Sequence, residues 1–473
     1  MAESVKKYSK NEILEVTITD IGNDGEGIGK IDGYTLFIKD AVIGDTVRCK
    51  IMKAKKNYAY ARLEEVIVPS EYRIRPACAI STRCGGCQIQ SMSYERQLQF
   101  KQDKVRNNIV RLGGFDGDEI DSKMETIIGM DEPFRYRNKA QYPVGLNKEG
   151  KIVTGFYAGH SHNIIPSKEC IIGIEENGII LDTIVGHMEA NHISPYDEET
   201  GRGLVRHILI RKGFVSKEIM VCLIINYKGR NASGDYIPSQ EQLCNKLSQI
   251  EGMKSISVSI NTEKTNVIMG NEIHTIWGSN TITDTLCGLK FNISPLSFYQ
   301  VNPVQTEKLY GTALEYAELT GNETVWDLYC GIGTITLSMS RKAREVYGVE
   351  IIPQAIDDAR ENARVNGITN ASFYVGKAEE VLPRLYEEEN IYADVICIDP
   401  PRKGCDQAAL DTMLKMAPKR IVYVSCDSAT LARDLRILVD GGYSIDKIRP
   451  CDMFSWSVHV ETVVSLTLQD DKK

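Results

Sequence analysis

The chain has 473 residues, of which 42% are hydrophobic and 25% are charged, the balance of an ordinary globular protein long enough for about three domains. That composition excludes a collagen, a coiled coil and a wholly disordered chain. The formal net charge of −8, from 56 basic and 64 acidic residues, argues against a nucleic-acid partner when the chain is taken as a whole. Residues 71–111 nevertheless contain eight basic and only three acidic residues, which indicates either a local nucleic-acid-binding patch or a solvated helix face.

Membrane-spanning and secretory segments are not expected. No stretch approaches the ~18 consecutive apolar residues of a membrane-spanning helix, and the first residues lack the apolar core of a signal peptide. We therefore expect a cytoplasmic protein with no membrane partner, and no obligate protein partner is evident. In that compartment the 13 cysteines are expected to be reduced thiols, metal ligands or catalysts rather than a disulfide framework.

The N-terminal residues have the pattern of a small β-barrel, and we assign residues 1–69 to it. Alternating segments at residues 13–18 and 34–38, and the long run 46–68, are interrupted by glycine-rich turns, as in a closed sheet of short strands. Basic and aromatic side chains occur together near the end of this region, at Lys53, Lys55, Lys56, Tyr58 and Tyr60. Such a mixture is typical of a barrel that binds nucleic acid.

A cysteine-rich segment follows the barrel. Cys78, Cys84 and Cys87 are close in sequence, and Cys170 lies far downstream. No histidine lies within residues 78–87. Four cysteine thiolates could therefore bind either zinc or an iron–sulfur cluster. A helix is predicted at residues 94–112, and a central α+β domain is predicted over residues 70–300, with strands at 207–210, 219–225 and 256–260.

The last third of the chain alternates between strands and helices. Strands are predicted at residues 324–329, 345–349, 372–375, 394–398 and 420–425. Helices are predicted between them at residues 334–341, 353–366, 406–417 and 428–439. This alternation predicts a parallel, doubly wound α/β sheet over residues 301–473, whose ligands bind at the carboxyl ends of the strands.

The loop after the first of these strands predicts a nucleoside-binding site. Gly331 and Gly333 permit a tight turn, but position 336 is threonine, so the third glycine of a dinucleotide-binding loop is missing. Glu350 ends the next strand, about 20 residues on, where its carboxylate could accept bonds from ribose hydroxyls. The pattern favours an adenosine cofactor such as S-adenosylmethionine over the nicotinamide cofactor of an oxidoreductase.

Three further residues are candidates for chemistry. Asp399 ends the fourth strand, within the sequence DPPR of residues 399–402, and Cys426 follows the fifth strand at the start of a helix. The positive end of that helix dipole is expected to lower the pKa of the Cys426 thiol and to favour the thiolate. Glu461 is an acid among apolar neighbours in the strand-like residues 458–464.

Several motifs in fixed order resemble those of the RNA (uracil-5-)-methyltransferases. They are residues 297–302 (SFYQVN), 327–333 (DLYCGIG), 399–402 (DPPR), 425–434 (SCDSATLARD) and 459–461 (HVE). The N-terminal barrel is similar to a TRAM domain, an OB-like RNA-binding module, so the resemblance covers essentially the whole chain. The barrel together with the cysteine pattern resembles the branch that acts on 23S ribosomal RNA, whereas the transfer-RNA branch typically lacks both.

The resemblance implies a class I, Rossmann-like S-adenosylmethionine methyltransferase domain and a role for each candidate residue. Cys426 would be the nucleophile that attacks C6 of a flipped uracil, and Glu461 the acceptor of the C5 proton. The implied cofactor-binding residues are Gln300, Tyr329, Glu350 and Asp399. The implied ligands of a structural [4Fe-4S] cluster are Cys78, Cys84, Cys87 and Cys170. The alternatives are a transfer-RNA uracil-5 methyltransferase and a non-catalytic RNA-binding iron–sulfur protein, and the intact Cys426 and Glu461 argue against the latter.

Overall fold

The computed structural model describes residues 8–159, 161–227, 229–231 and 234–469. The chain divides into two compact units. The first comprises Met1–Asp103, Tyr157–Ile165 and Phe454–His459, and the second comprises the remaining three segments. The division into domains 1–69, 70–300 and 301–473 stays a prediction.

The first unit contains the expected barrel. Its five strands are β1 (Ile13–Ile21), β2 (Gly27–Ile31), β3 (Tyr34–Lys39), β4 (Thr46–Ala54) and β5 (Tyr58–Val68). They close in the order β1-β2-β3-β5-β4, in which β1 pairs with β4 and β3 runs parallel to β5. Alternate side chains such as Ile18, Leu36 and Ile51 point inward and form the barrel core. The predicted closed barrel is confirmed, and the run 46–68 forms the two strands β4 and β5.

Two helices follow along the chain, α1 (Tyr94–Gly113) and α2 (Gly117–Lys123), of which the first was expected. The mixed sheet after them has the order β12-β11-β10-β9-β6-β7-β8. Its strands and helices are β6 (Lys139–Leu146), β7 (Ile152–Tyr157), β8 (Ile164–Pro166), α3 (Asn177–Ala190), β9 (Val205–Lys212), β10 (Ile219–Ile225), α4 (Gln240–Leu247), β11 (Met253–Ile260) and β12 (Glu272–Gly278). Helices α3 and α4 cover one face of this sheet through Ile180, Ile184 and Leu243. A hairpin of β13 (Ile282–Leu286) and β14 (Leu289–Ile293) leads to the last third of the chain.

The last third forms the predicted doubly wound sheet. Its elements are α5 (Pro303–Ala317), β15 (Thr324–Leu328), α6 (Thr334–Ser340), β16 (Glu345–Glu350), α7 (Pro353–Val365), β17 (Ala371–Val375), α8 (Ala378–Glu388), β18 (Val395–Ile398), α9 (Gln407–Met416), β19 (Arg420–Ser425), α10 (Ser428–Asp440), β20 (Tyr443–Cys451) and β21 (Glu461–Leu468). The strand order is β17-β16-β15-β18-β19-β21-β20. Strands β15 to β19 are parallel, whereas β21 pairs antiparallel with both β19 and β20. The order reverses between β15 and β18, the position at which such sheets bind their ligands.

Three elements of the last third, α5, α8 and β20, were not expected from the sequence, and a proline obscures the pattern of two of them. Helix α8 carries Pro383 in its interior, a residue that normally ends a helix because it lacks a backbone N–H and crowds the preceding turn. Its apolar side chains Val381, Leu382 and Leu385 are buried, so packing outweighs the proline. Strand β20 contains Pro450, which similarly obscures a strand pattern.

No helix in the described part of the chain is long and apolar enough to cross a membrane.

Candidate active site

The pairing of β19 with β21 brings together two residues that are 35 positions apart in the sequence. Ser425, the last residue of β19, pairs with Thr462 of the antiparallel strand β21. Cys426 and Glu461 are the neighbours of that pair, so both lie at the carboxyl end of β19. Cys426 is half-buried and Glu461 is only 5% exposed. This register places the proposed nucleophile and the proposed proton acceptor side by side.

The Cys426 thiol does not have the lowered pKa that its position before α10 suggested. Burial raises its pKa to about 12, and the nearby carboxyl groups of Glu461 and Asp399 add to the rise. Arg402 acts in the opposite direction. The sequence expectation is therefore wrong for the protein alone, because desolvation and two acids outweigh the dipole of one helix.

The carboxyl groups of Asp399 and Glu461 are both protonated more readily than free acids. Burial raises the pKa of both carboxyl groups above their usual range, and the charge of Asp399 raises that of Glu461 further. The Arg402 guanidinium partly offsets the effect on Glu461. Such carboxyl groups hold protons near neutral pH and release them readily when a positive charge arrives, which suits them to proton transfer.

The glycine turn after β15 lies against Glu350, the last residue of β16. Tyr329, Gly331 and Gly333 all have positive φ, at 73°, 54° and 87°, which glycine adopts freely and tyrosine does not. The backbone N–H of Gly331 donates to Glu350 Oε2 over 3.2 Å, and that of Ile352 donates to Oε1 over 3.0 Å. The carboxylate is thereby oriented at the end of β16 and keeps lone pairs for a ligand's hydroxyl groups.

A buried acid in β15 completes this edge of the sheet. Asp327 is fully buried, and its Oδ2 accepts a 2.5 Å hydrogen bond from the Thr336 hydroxyl. Burial raises its pKa to about 7, with further contributions from Asp399 and Glu350. Its other oxygen, Oδ1, is buried without a hydrogen-bond partner among the described residues. Three acids and an unsatisfied buried acceptor fit a ligand that brings positive charge and hydrogen-bond donors, as S-adenosylmethionine does.

Two members of this group, Asp327 and Tyr310, were not predicted as site residues, although Asp327 opens the motif at residues 327–333. Tyr310 of α5 is buried, its hydroxyl lies 3.1 Å from that of Thr334, and the charge of Asp399 contributes to its raised pKa. An acid inside the apolar strand TVWDL was a usable signal for Asp327. No sequence signal marks Tyr310, because it belongs to the site only through the packing of α5.

The segment after DPPR is held by α10. The fully buried Asp434 accepts hydrogen bonds at Oδ2 from the backbone N–H of Cys405 (2.9 Å) and from the Tyr423 hydroxyl (2.6 Å). Arg433 donates to the carbonyl oxygens of Lys403 and Cys405 at 3.0 and 3.2 Å. The residues Thr430, Arg433 and Asp434 of the sequence motif therefore fix the loop that carries Arg402, and Thr430 donates to the Arg402 carbonyl itself.

Gly404 allows the loop after DPPR to lie this close to α10. Its φ is +77°, and a Cβ there would lie 2.6 Å from Asp434 Oδ2 and 2.5 Å from Arg433 Nη2. Any side chain would displace the groups that hold the loop.

The two remaining predicted cofactor-binding residues, Gln300 and Tyr329, have different surroundings. Burial raises the pKa of the Tyr329 hydroxyl, and Cys405 and Asp406 in the loop after β18 add to the rise. Gln300 is fixed through its backbone, since Asn138 Nδ2 donates to its carbonyl over 3.0 Å. Among the described residues its side chain has no hydrogen bond to Tyr329, Glu350 or Asp399, so its cofactor role stays a prediction.

The four candidate cluster ligands are divided between the two compact units. Cys78, Cys84 and Cys87 belong to the first compact unit, and Cys170 belongs to the second. In the described part of the chain, no group of three or more His, Cys, Asp or Glu side chains is arranged to hold a metal ion. The [4Fe-4S] prediction is therefore unsupported by this structure, although Cys84 Sγ does accept a 3.4 Å hydrogen bond from Gly86.

The buried Asp327 carboxyl predicts a pH-dependent stability. Its pKa rises from 3.8 to about 7 on folding, so the folded state binds the proton more tightly than the unfolded state. The free energy of unfolding should then fall as pH rises between about 4 and 7. We expect Asp327→Asn, which can still accept from Thr336, to be more stable than the wild type at pH 8, by at least about 1 kcal/mol, and to lose that advantage at pH 4. Thermal or urea unfolding at the two pH values measures this, with the exposed Asp118→Asn as control; an equal stability difference at both pH values would contradict it.

Comparisons with known proteins match both the N-terminal barrel and the rest of the chain. The sequence profile of the tRNA (Uracil-5-)-methyltransferase family matches residues 215–469, and that of the TRAM domain matches residues 9–63. An "Uncharacterized RNA methyltransferase" of Clostridium tetani is 48% identical over 465 residues, 98% of either chain. A protein of the same description from Halalkalibacterium halodurans is 46% identical over 471 residues, 99% of this chain and 100% of its own. The crystal structure of Pyrococcus abyssi tRNA (uracil-54, C5)-methyltransferase in complex with S-adenosyl-L-homocysteine has a TM-score of 0.75 at 24% identity, and the match covers 96% of this chain and 100% of that one.

Proposed function

Because the chain belongs to the S-adenosylmethionine-dependent RNA (uracil-5-)-methyltransferase family, we propose that it methylates C5 of a uridine in 23S ribosomal RNA through a covalent adduct between Cys426 and C6 of the base. The observation that carries this proposal is the register of β19 and β21, which sets Cys426 beside Glu461 at the carboxyl edge of the sheet. The target base must leave its stack to reach this edge, since C5 and C6 are inaccessible in a stacked or paired base.

The proposed reaction needs a nucleophile and a base in sequence. Addition of the Cys426 thiolate to C6 places carbanion character on C5, which then takes the methyl group. The sulfonium supplies that electrophilic methyl group. The C5 proton must then leave, so that the electron pair of the C5–H bond can re-form the double bond and expel the cysteine. Glu461 is the nearest candidate to accept this proton.

The acids around Cys426 regulate when the thiolate forms. In the protein alone, burial holds the thiol protonated, and ionisation of Glu461 or Asp399 raises its pKa further. Positive charge brought to this edge lowers the pKa of the thiol and of the two carboxyl groups together. Arg402, held by Thr430 and Arg433 of α10, already acts in this direction. Positive charge at this edge therefore favours the thiolate that the proposed reaction needs.

The choice of 23S ribosomal RNA rests on the sequence resemblance, in particular on the cysteine pattern, because the match to the Pyrococcus abyssi structure covers 96% of this chain and so extends over the barrel. The alternative substrate is transfer RNA. The Pyrococcus abyssi protein of similar fold is named as a tRNA (uracil-54, C5)-methyltransferase. Incubation with S-adenosylmethionine carrying a labelled methyl group, and with separated ribosomal and transfer RNA fractions, distinguishes the two. We expect the label in 5-methyluridine released from 23S ribosomal RNA. Label in transfer RNA alone would assign the chain to the alternative, and label in another nucleoside would refute uracil C5 as the target.

The iron–sulfur cluster is proposed from the sequence resemblance alone, and metal content tests it. Protein purified without oxygen is expected to be brown and to contain about four irons per chain. Cys84→Ser should remove the colour and the iron, because it removes one of four thiolate ligands, whereas Cys287→Ser should not. Colourless protein with no iron, or with stoichiometric zinc, would show that the four cysteines have another role.

A further inference from the structure

Two buried amide side chains at the start of α5 bind the residues that follow β20. Asn302 is the residue before the helix and Gln305 is its third residue, and they are 0% and 1% exposed. Asn302 Nδ2 donates to the carbonyl oxygen of Met453 over 3.1 Å, and Gln305 Nε2 donates to that of Asp452 over 3.1 Å. We call Asn302 and Gln305 the amide clamp.

The two members of the amide clamp also bind each other. Asn302 Oδ1 accepts a 3.2 Å hydrogen bond from the backbone N–H of Gln305, which caps the first turn of α5. The Asn302 carbonyl oxygen accepts from the backbone N–H and from the hydroxyl of Thr306, over 2.9 and 2.7 Å. Asn302 therefore cannot turn away from Met453 without uncapping the helix.

The clamped carbonyl groups follow the residue that is paired with Glu461. Cys451 ends β20 and is opposite Glu461 in the antiparallel β20–β21 register. Asp452 and Met453 come next, past the last pair of the ladder, and both are fully buried. Buried carbonyl oxygens beyond a ladder need donors from elsewhere, and the amide clamp supplies them. It thereby fixes the strand end against which Glu461 is paired.

Gln305 is explained by its N–H group rather than by its carbonyl group. Its Oε1 is buried without a hydrogen-bond partner among the described residues, a cost that an apolar side chain of similar size would not incur. Its Nε2 lies 3.4 Å from the Ile128 carbonyl oxygen as well. The backbone of Ile128 pairs with the same strand end, since its N–H donates to Pro450 and its carbonyl accepts from Asp452, each over 2.9 Å. The donor of Gln305 thus joins two backbone segments at the end of β20.

We infer that Asn302 and Gln305 are positioning residues for removal of the C5 proton, because they hold the end of β20 and, through it, the Glu461 carboxyl group. The inference rests on the proposed function, in which Glu461 is the base. Proton transfer requires the acceptor within hydrogen-bonding distance, and a misplacement of about 1 Å costs on the order of 10²-fold in rate. Cys426 follows β19, which β18 holds from the other side. Loosening the clamp should therefore slow proton removal and leave thiolate addition and methyl transfer intact.

Proton removal and methyl transfer can be followed separately in the full-length protein. The substrate is 23S ribosomal RNA with tritium at C5 of its uridines, and the cofactor is S-adenosylmethionine with a radiocarbon-labelled methyl group, in a single turnover with excess enzyme. Tritium released to water reports proton removal, and radiocarbon in RNA reports methyl transfer. Gln305→Met keeps the length of the side chain and removes both polar atoms. We expect it to slow tritium release about 10- to 100-fold, to keep the wild-type rate of methyl transfer, and to accumulate methylated RNA bound covalently to Cys426.

A second variant and a matched control complete the experiment. Asn302→Ser keeps an oxygen that caps α5 but is too short to replace the donor to Met453, so it should separate the two rates in the same way. Gln242, the third residue of α4, is exposed, and Gln242→Met should follow the wild type in both rates. The dissociation constant of S-adenosylmethionine should be unchanged in all three variants.

Three results would overturn the inference: equal slowing of tritium release and methyl transfer in Gln305→Met and Asn302→Ser, loss of S-adenosylmethionine binding by both, or wild-type rates in both. Failure of the proposed function has a different signature. If the wild type itself transfers no methyl group to uridine and releases no tritium, the proposed function fails, and the inference falls with it.

Discussion

Replacing Cys426 with serine is expected to abolish methylation, with a fall in turnover of at least about 10⁴-fold. A serine hydroxyl near its ordinary pKa cannot attack C6 as a thiolate does. The substitution is nearly isosteric, and it leaves Asp327, Glu350 and Asp399 in place. Binding of S-adenosylmethionine, measured by calorimetry, should therefore stay close to that of the wild type.

Cys287→Ser is the matched control for this experiment. Cys287 is half-buried in the turn between β13 and β14, where its carbonyl oxygen accepts from Arg341 after α6, so its substitution should leave turnover unchanged. If Cys426→Ser kept a substantial fraction of wild-type turnover, the reaction would not pass through a thioether at this residue.

Replacing Glu461 with glutamine is expected to stop the reaction at a later step. Addition to C6 and methyl transfer do not need the carboxylate, but the C5 proton then has no acceptor and the cysteine cannot be expelled. The protein should remain covalently bound to methylated RNA and migrate as a slow band on a denaturing gel. Turnover should fall by about 10²–10⁴-fold, the usual contribution of a general base.

The double variant Cys426→Ser/Glu461→Gln gives the control, because without the nucleophile no slow band should form. The band of the single variant should carry the methyl label only when S-adenosylmethionine is present. Wild-type turnover of Glu461→Gln with no trapped adduct would mean that another residue is the base. Asp399 would then be examined first, since its charge acts on both Cys426 and Glu461.

The doubly wound sheet was predictable because its signals are local. Short apolar strands alternate with amphipathic helices, and each strand from β15 to β19 was found within one or two residues of its observed bounds. The placement of Glu350, Asp399 and Cys426 at one edge follows from the parallel order of those strands. The barrel was predictable for a similar reason, since alternation and glycine turns are both readable in sequence.

The electrostatics of the site were not predictable in the same way. The pKa of Cys426 depends on burial and on Glu461 and Asp399, which approach it only through the folded sheet. The antiparallel insertion of β21 between β19 and β20 is a long-range pairing with no local signal. Tyr310 likewise joins the acids through helix packing. Sequence patterns report on neighbours along the chain, whereas these features arise from neighbours in space.

The most direct test of the proposed chemistry uses 23S ribosomal RNA transcribed with 5-fluorouridine. After the thiolate adds to C6 and C5 is methylated, fluorine cannot leave as a proton does, so the adduct cannot collapse and accumulates. Digestion of the trapped complex and mass spectrometry should find one methylated fluorouridine attached to the peptide that contains Cys426, and none when S-adenosylmethionine is omitted. An adduct on a different residue, or full methyl transfer with no covalent complex, would contradict the assignment of Cys426 as the nucleophile.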